Sequence, residues 1–308
     1  MSATSTVSPV PGLAIVVVNY GSAHLVEPNV SRAAPAAERI VVVDNLQSRA
    51  DRDAMVDVVS RHGWELVLSP GNVGFGAAVN AGVARAVELG CSRFFVLNPD
   101  ATADPEVVTA LAEHVGEHRL SLVSPRIERP GRKQAWFVGN VVEPRSGDVR
   151  RDTDLGHESG AWGWLTGACL TVHLDLWRRV GGFDERYFLY WEDVDLSRRV
   201  VAAGGTLAVR ADLEAWHDVG GTQKTVVGAG KSPVYAYYNC CNRLRFAAYH
   251  IERRDRLRWL VRTPVASTRV LLRSGPRVAL RSPRTAWSAL RGSLAGATIV
   301  VRSLLRHG

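Results

Sequence analysis

Glu192, Asp193 and Asp195 fall directly behind Tyr187, Phe188, Tyr190 and Trp191. Acids in the first turn of a helix are stabilising on their own account. Acids that follow a cluster of aromatic rings suit a further task. Flat apolar rings stack on a sugar, and carboxylates accept from its hydroxyls. A carboxylate held beside a hydroxyl can act as a general base. A further carboxylate stands in "FFVLNPDATAD", residues 94–104, where an apolar run breaks off at Asn98-Pro99-Asp100. A lone Asp after a strand ordinarily opens a turn. Asp104-Pro105-Glu106, just beyond, has the pattern of a helix start, with Asp as N-cap and Pro in the first helical position.

These residues need elements that bring them together. "LAIVVV" (13–18), "RIVVVD" (39–44), "WELVL" (64–68) and "RFFVL" (93–97) are short, β-branched and nearly all apolar. Such runs fit strands buried on both faces. Helix-compatible stretches around 50–62 and 75–89 separate them, so the pattern predicts an α/β doubly wound domain with a mostly parallel sheet. Ligands in such sheets bind beyond the carboxyl ends of the strands. Asn19-Tyr20, Asp44-Asn45, Gly71-Asn72 and Asn98-Pro99-Asp100 all lie there. Four polar exits in a row point to a binding edge. The loop "PGNVGFGAAVNAG" (70–82) opens a helix, and backbone amides at a helix start suit a phosphate. It lacks the Gly-Lys-Ser/Thr ending of a Walker A loop, and its place after the third strand does not match a dinucleotide fingerprint.

The second half is less regular. Turn signals stand at Arg129-Pro130-Gly131 and Arg145-Ser146-Gly147, "WLTGACLTV" (164–172) reads as a strand, and "EDVDLSRRVVAAGG" (192–205) as a helix stopped by two glycines. The 308 residues carry a net charge of +8. Residues 251–308 alone hold 13 Arg, no Lys, and only Glu252 and Asp255 as acids, a net of +11, which leaves the remainder at −3. From Arg254 onward the arginines recur mostly at three- and four-residue steps, so one helical face is basic. Pro264, Pro276 and Pro283 are expected to divide it into several helices. An anionic membrane surface is the partner this segment suits. It has no recognised nucleic-acid-reading motif. Met1–Val10 has neither the basic nor the apolar region of a signal peptide, and no apolar run approaches the ~20 residues of a membrane span. The four cysteines lack zinc-type spacing, so a reducing cytoplasm is the expected compartment.

The blocks "VVVNY" (16–20), "VVVDN" (41–45), "GNVGFGAAVNAG" (71–82), "LNPD" (97–100), "LTGACLTV" (165–172) and "GGFDERYFLYWEDVDLSRR" (181–199) occur in the order found in inverting family 2 glycosyltransferases of the GT-A fold. The chain resembles that family over residues 13 to about 220, and within it the bacterial rhamnosyltransferase-like branch. The resemblance implies that Asn19, Tyr20 and Asp44 line the nucleoside pocket, Asp44 accepting from the pyrimidine imide. It implies that Gly71, Asn72, Gly74 and Asn80 shape the loop beside the donor. Asp100 would hold a Mg²⁺ or Mn²⁺ ion on the diphosphate, with His217 as a second ligand, and Asn98 stands where a first carboxylate is expected. Asp193 would be the catalytic base, and Trp164, Trp191 and Glu192 would face the sugar or acceptor. The expected reaction moves a sugar, best L-rhamnose or another deoxysugar from a dTDP donor, onto a glycan carried on a lipid. The expected division is a GT-A domain at 1–225 and a basic helical segment at 226–308, peripheral at the inner face of the plasma membrane. Two alternatives stand beside it. One is a non-catalytic membrane- or polyanion-binding protein on a degenerate transferase scaffold. The other is a sugar nucleotidyltransferase, although "NYGSAHLVEPN" lacks the Arg/Lys-bearing glycine loop such an enzyme needs.

Overall fold

A computed structural model describes residues 7–132, 134–218, 232–273 and 282–305. The expected first strands form as β1 (Val10–Asn19), β2 (Ala37–Asp44), β3 (Glu65–Leu68) and β4 (Arg93–Leu97). All pair in parallel, in the order β3-β2-β1-β4. The chain runs outward from β1 through β2 to β3, then crosses back to β4 on the other side of β1. That reversal opens a crevice at the carboxyl ends of β1 and β4. Their facing residues, Leu13 to Val17 and Phe94 to Leu97, are almost wholly buried, as a sheet covered on both faces requires.

The covering helices are α1 (Ala23–Ala33), α2 (Arg49–His62), α3 (Phe75–Glu88) and α4 (Pro105–Glu117). Helix α2 ends at Gly63 in the left-handed conformation, a common helix stop. Asp104 occupies the N-cap position of α4, but its side chain makes no capping bond and pairs instead with Arg32 at 2.5 Å. Helix α1 escapes the sequence pattern because it contains Pro28.

Beyond β4 the sheet is mixed. Strands β5 (Ala101–Ala103), β6 (Ser121–Glu128), β10 (Cys169–His173) and β11 (Thr206–His217) continue it in the order β4-β10-β6-β11-β5, with β10 antiparallel to both neighbours. A separate small sheet joins β7 (Asn140–Val142), β8 (Val149–Arg151) and β9 (Trp162–Trp164) in the order β8-β7-β9. The single strand expected over 164–172 is therefore two. Trp164 closes β9 and Cys169 opens β10, with a turn at Gly167-Ala168 between them. Helices α5 (Leu174–Val180) and α6 (Glu192–Ala202) follow, the latter stopping before Gly204-Gly205 as expected.

Four helices complete the chain: α7 (Pro233–His250), α8 (Arg253–Val261), α9 (Thr263–Leu272) and α10 (Pro283–Leu305). Pro264 and Pro283 stand at helix starts, as the sequence predicts; Pro276 and the expected boundary near 225 lie outside the described residues. Helix α10 lies close against α7, because Gly292 has no side chain; a Cβ there would sit 2.2 Å from the Tyr237 carbonyl oxygen. Trp259 of α8 is fully buried, its Nε1–H donating to the Pro144 carbonyl at 2.7 Å and its ring meeting those of Phe246 and Trp191. The C-terminal helices thus share a hydrophobic cluster with the start of α6.

Candidate active site

Asn19, at the end of β1, has no exposed surface; its Nδ2 donates to Asp44 at 3.1 Å and its Oδ1 accepts from the Ser22 amide. Asp44 ends the neighbouring strand and is likewise wholly buried. Its second oxygen accepts from Arg52 Nε at 2.6 Å, while Arg52 also donates to the Ser69 carbonyl. The sequence reading opens Asp44 to a nucleoside base; the structure sets Arg52 of α2 against it. Tyr20 is 44% exposed and stands beside this pair at the rim.

The glycine loop is tied down from two sides. Asn45 accepts from the Val73 amide and donates to Asn72 Oδ1, which also accepts from the Gly74 amide. Gly74 has φ +90°, and a Cβ there would lie 2.3 Å from the Phe188 carbonyl oxygen. That same oxygen accepts from the Phe75 amide at 3.0 Å. Asn80 both donates to the Phe183 carbonyl and accepts from the Phe183 amide, at 2.9 Å each. Asn80 is therefore a clasp between α3 and the segment leading to α6, and Gly71 stands in open space.

The turn at Asn98-Pro99-Asp100 leaves β4 at the crevice. Asn29 of α1 holds the Pro99 carbonyl at 2.7 Å, and the Asn98 amide donates to the Ala168 carbonyl at 2.9 Å. Asp100 is buried to 6% exposure, and its Oδ1 lies 3.0 Å from His217 Nε2, at the end of β11. The two residues are 117 positions apart in sequence. The antiparallel pairing of β11 with β5 puts His217 opposite Ala101 and so brings them together. The Trp136 ring packs on the imidazole at 4.5 Å, and Nδ1 of His217 is buried with no hydrogen-bond partner among the described residues. Asp100 also marks its surroundings: the Cys169 thiol is pushed up by burial and then by the Asp100 charge.

A carboxylate and an imidazole are side chains that suit a divalent cation, and here the two are within hydrogen-bond distance of each other. Among the described residues no third His, Cys, Asp or Glu joins them. Such a pair leaves the remaining positions to phosphate oxygens and water, the usual arrangement for a nucleotide-bound metal.

Asp193 lies on the other side of β10's entry. One of its oxygens accepts from the Gly167 amide at 3.3 Å and the other from the Val194 amide at 2.9 Å. Burial raises its pKa to about 6 against the pull of those amides. Glu192 is buried to 6% exposure with one oxygen unpartnered, and burial followed by the neighbouring Asp193 charge pushes its carboxyl well up. Burial thus raises both carboxyls of the pair, and Asp193 is brought toward the range in which a general base works near neutral pH. Asp195 is spent structurally, its oxygens taken by His250 at 2.6 Å and Arg199 at 2.7 Å. Residues 165–168 connect this carboxylate to the Asn98-Pro99-Asp100 turn through the Gly167 and Ala168 contacts.

The aromatic cluster divides. Trp164 is half-buried, its ring near Phe137, and its indole N–H lacks a partner among the described residues. Trp191 is only 8% exposed, packed between Phe246 and Trp259, so burial removes it from any sugar-stacking position. It does serve the site from beneath. Tyr190 and Trp191 have φ of +64° and +72°, a left-handed pair that turns the chain into α6. Asn242 of α7, buried to 1%, donates from Nδ2 to the carbonyls of both Leu189 and Tyr190 at 3.0 Å. Arg52 and Asn242 are absent from the sequence-based site, and Asn45 enters it only as a polar strand exit without an assigned role. Asn242 is one of four polar residues in "YNCCNRLRF" (with Asn239, Arg243 and Arg245), a pattern that does not single it out.

Comparison with known proteins agrees with this architecture. The model of glycosyl transferase family 2 matches residues 14–166. An N-acetylglucosaminyl-diphospho-decaprenol L-rhamnosyltransferase of Mycobacterium tuberculosis is 28% identical, over 67% of this chain and 75% of the relative. The solved structure of GalNAc-T7 with UDP, GalNAc and Mn²⁺ superposes with a TM-score of 0.60 at 12% identity, covering 99% of this chain and 58% of that one. A mannosyltransferase, PcManGT, from Pyrobaculum calidifontis in complex with GDP-Man and Mn²⁺ gives 0.54 at 14% identity, covering 96% and 89%.

Proposed function

Starting from a chain that belongs to glycosyltransferase family 2 through residues 14–166, we propose that this enzyme transfers L-rhamnose or another deoxysugar from a dTDP donor to a hydroxyl of a lipid-linked glycan, with inversion. The observation that carries the reading is the meeting of Asp100 and His217 at the sheet's switch point, joined through residues 165–168 to Asp193. The M. tuberculosis relative, whose name gives a rhamnosyl transfer to a diphospho-decaprenol acceptor, supports the choice of sugar and acceptor.

A Mg²⁺ or Mn²⁺ ion at Asp100 and His217 would supply charge neutralisation for the departing diphosphate. Asn19, Tyr20 and Asp44 receive the nucleoside, and Arg52 gives up Asp44 when the base arrives. The loop through Gly71, Asn72 and Gly74, braced by Asn80, lies along the donor. Asp193 takes the proton of the acceptor hydroxyl as its oxygen attacks the anomeric carbon. The sugar–phosphate bond breaks on the opposite face, so a single displacement inverts the centre and no covalent nucleophile is needed. Glu192, with one carboxyl oxygen unpartnered, hydrogen-bonds a sugar hydroxyl, and Trp164 offers its half-exposed ring as a stacking face.

The helical segment, 226–308 in this reading, rests on the anionic inner surface of the membrane. Trp287, Leu290, Leu294, Val301 and Leu305 are exposed at helical spacing along α10, with the exposed Arg284, Arg291 and Arg302 beside them and no acid in the helix. That composition suits an interfacial helix. Among the described residues no helix is long and apolar enough to cross a membrane.

A thermal-shift screen of nucleotide sugars tests the reading, since a ligand of the native state raises its melting temperature. dTDP-L-rhamnose with Mn²⁺ should give the largest shift, and His217→Ala should remove the Mn²⁺-dependent part. A larger shift with a UDP or GDP sugar would replace the donor assignment.

A further inference from the structure

Arg243 of α7 is an ionic group in a dry place, within reach of the Asp148 charge but not paired with it. It is 5% exposed, and its guanidinium donates to the Ser146 carbonyl at 2.6 Å and the Trp259 carbonyl at 3.2 Å. Its Nε is buried with no partner, and among the described residues no carboxylate pairs with it. Burial pushes its pKa down to about 10, which leaves it cationic at neutral pH. Burying a charge without a counter-charge is costly, and an orphaned buried donor calls for a ligand or water to complete it.

A cavity lies against it. Arg243, Arg269, Arg273, Asn239, Asp148 and Trp191 contribute to the walls of this space of 90 Å³, room for several waters and so for one phosphate group. Three guanidinium groups thus face one carboxylate. That carboxylate, Asp148, is already shared by Arg262 and Arg269. Arg273 donates to the Tyr235 hydroxyl at 2.8 Å and has no carboxylate partner among the described residues. The wall therefore carries excess positive charge in planar, multiply donating groups, the side chains best matched to phosphate oxygens.

We propose that the Arg243–Arg269–Arg273 cavity is a phosphate-binding site, separate from the Asp100–His217 metal site, that holds the phosphate of a lipid. Two lipids offer that chemistry: the prenyl diphosphate of a lipid-linked acceptor and a phospholipid headgroup. Trp191 is common to the cavity wall and to the turn that starts α6 two residues before Asp193. A diphosphate seated here anchors an acceptor beside the base. Only this choice of lipid rests on the proposed transferase function; the anion site stands on the arginines.

Calorimetric titration in EDTA, which keeps phosphates off the metal site, tests it with inorganic pyrophosphate, farnesyl diphosphate, glycerol 1-phosphate and phosphatidylglycerol vesicles. Arg269→Gln/Arg273→Gln alters half-exposed side chains and spares the buried Arg243, so the fold should persist. The wild-type protein should bind at least one phosphate probe, and the double variant should bind it at least tenfold more weakly. Preference for the diphosphates assigns the acceptor; preference for glycerol 1-phosphate and the vesicles assigns a headgroup. Failure to bind any probe, or equal affinity in the double variant, overturns the site. Asp193→Asn should keep the binding, so a wrong catalytic assignment and a wrong anion site give different results.

Discussion

At the scale of single residues, Asp193 and Glu192 show how position sets protonation. Both carboxyls are pushed up by burial, Asp193 to about 6 against the pull of the Gly167 and Val194 amides. A group whose folded pKa lies above its unfolded value costs stability as pH rises between the two. For Asp193 that window runs from its ordinary 3.8 to about 6. Asp193→Asn should therefore melt higher than the wild type at pH 7, by roughly 2–4 °C for each ~1 kcal/mol relieved, with the gain vanishing below pH 4. The same substitution should lower kcat by about 10²–10⁴, the usual worth of a general base, so stability and activity move in opposite directions. Glu192→Gln removes the neighbouring carboxyl and should leave the acid limb of the pH profile near 6, because burial and backbone amides set the Asp193 value. Sequence made Asp193 and the Asp100–His217 pair visible, because motif order carries them. It did not show that Arg52 closes Asp44 or that Trp191 is core, since both depend on contacts across the fold.

At the scale of elements, the parallel strands were legible because uninterrupted β-branched runs have few other uses. The split of residues 164–172 was not, because the turn at Gly167-Ala168 parts the two strands with little break in the apolar pattern. The turn into α6 depends on two left-handed non-glycine residues, a conformation held only where the surroundings over-determine it. Asn242 supplies that restraint through two buried hydrogen bonds. Asn242→Ala removes both of these buried hydrogen bonds and should cost about 1–3 kcal/mol, read as a lower melting temperature together with a reduced kcat. Gly74→Ala should be destabilising as well, since both its positive φ and the Phe188 carbonyl oppose a side chain.

At the scale of the whole molecule, the basic C-terminal helices are built into the protein. Trp259→Ala should cost about 3–5 kcal/mol, as for other buried tryptophans, and should disturb Trp191 above it. Deleting residues 251–308 would remove that support along with any membrane contact, so point changes are the cleaner probe. Trp287→Ala/Leu294→Ala should reduce pelleting with phosphatidylglycerol vesicles several-fold while leaving the melting temperature within about 2 °C; undiminished pelleting would remove α10 from the membrane face. The charge asymmetry of the sequence foretold the basic segment, but only packing reveals which face of α10 stays outside. The central claim is that Asp193 drives inverting sugar transfer beside a metal held by Asp100 and His217. Its most direct test is the rate of rhamnosyl transfer from dTDP-L-rhamnose to a crude lipid acceptor, with Mn²⁺, from pH 5 to 8. The wild-type rate should rise about tenfold per pH unit below an inflection near 6 and level off above it, and Asp193→Asn should retain no more than about 1%. A flat wild-type profile, or full turnover by Asp193→Asn, would contradict the account.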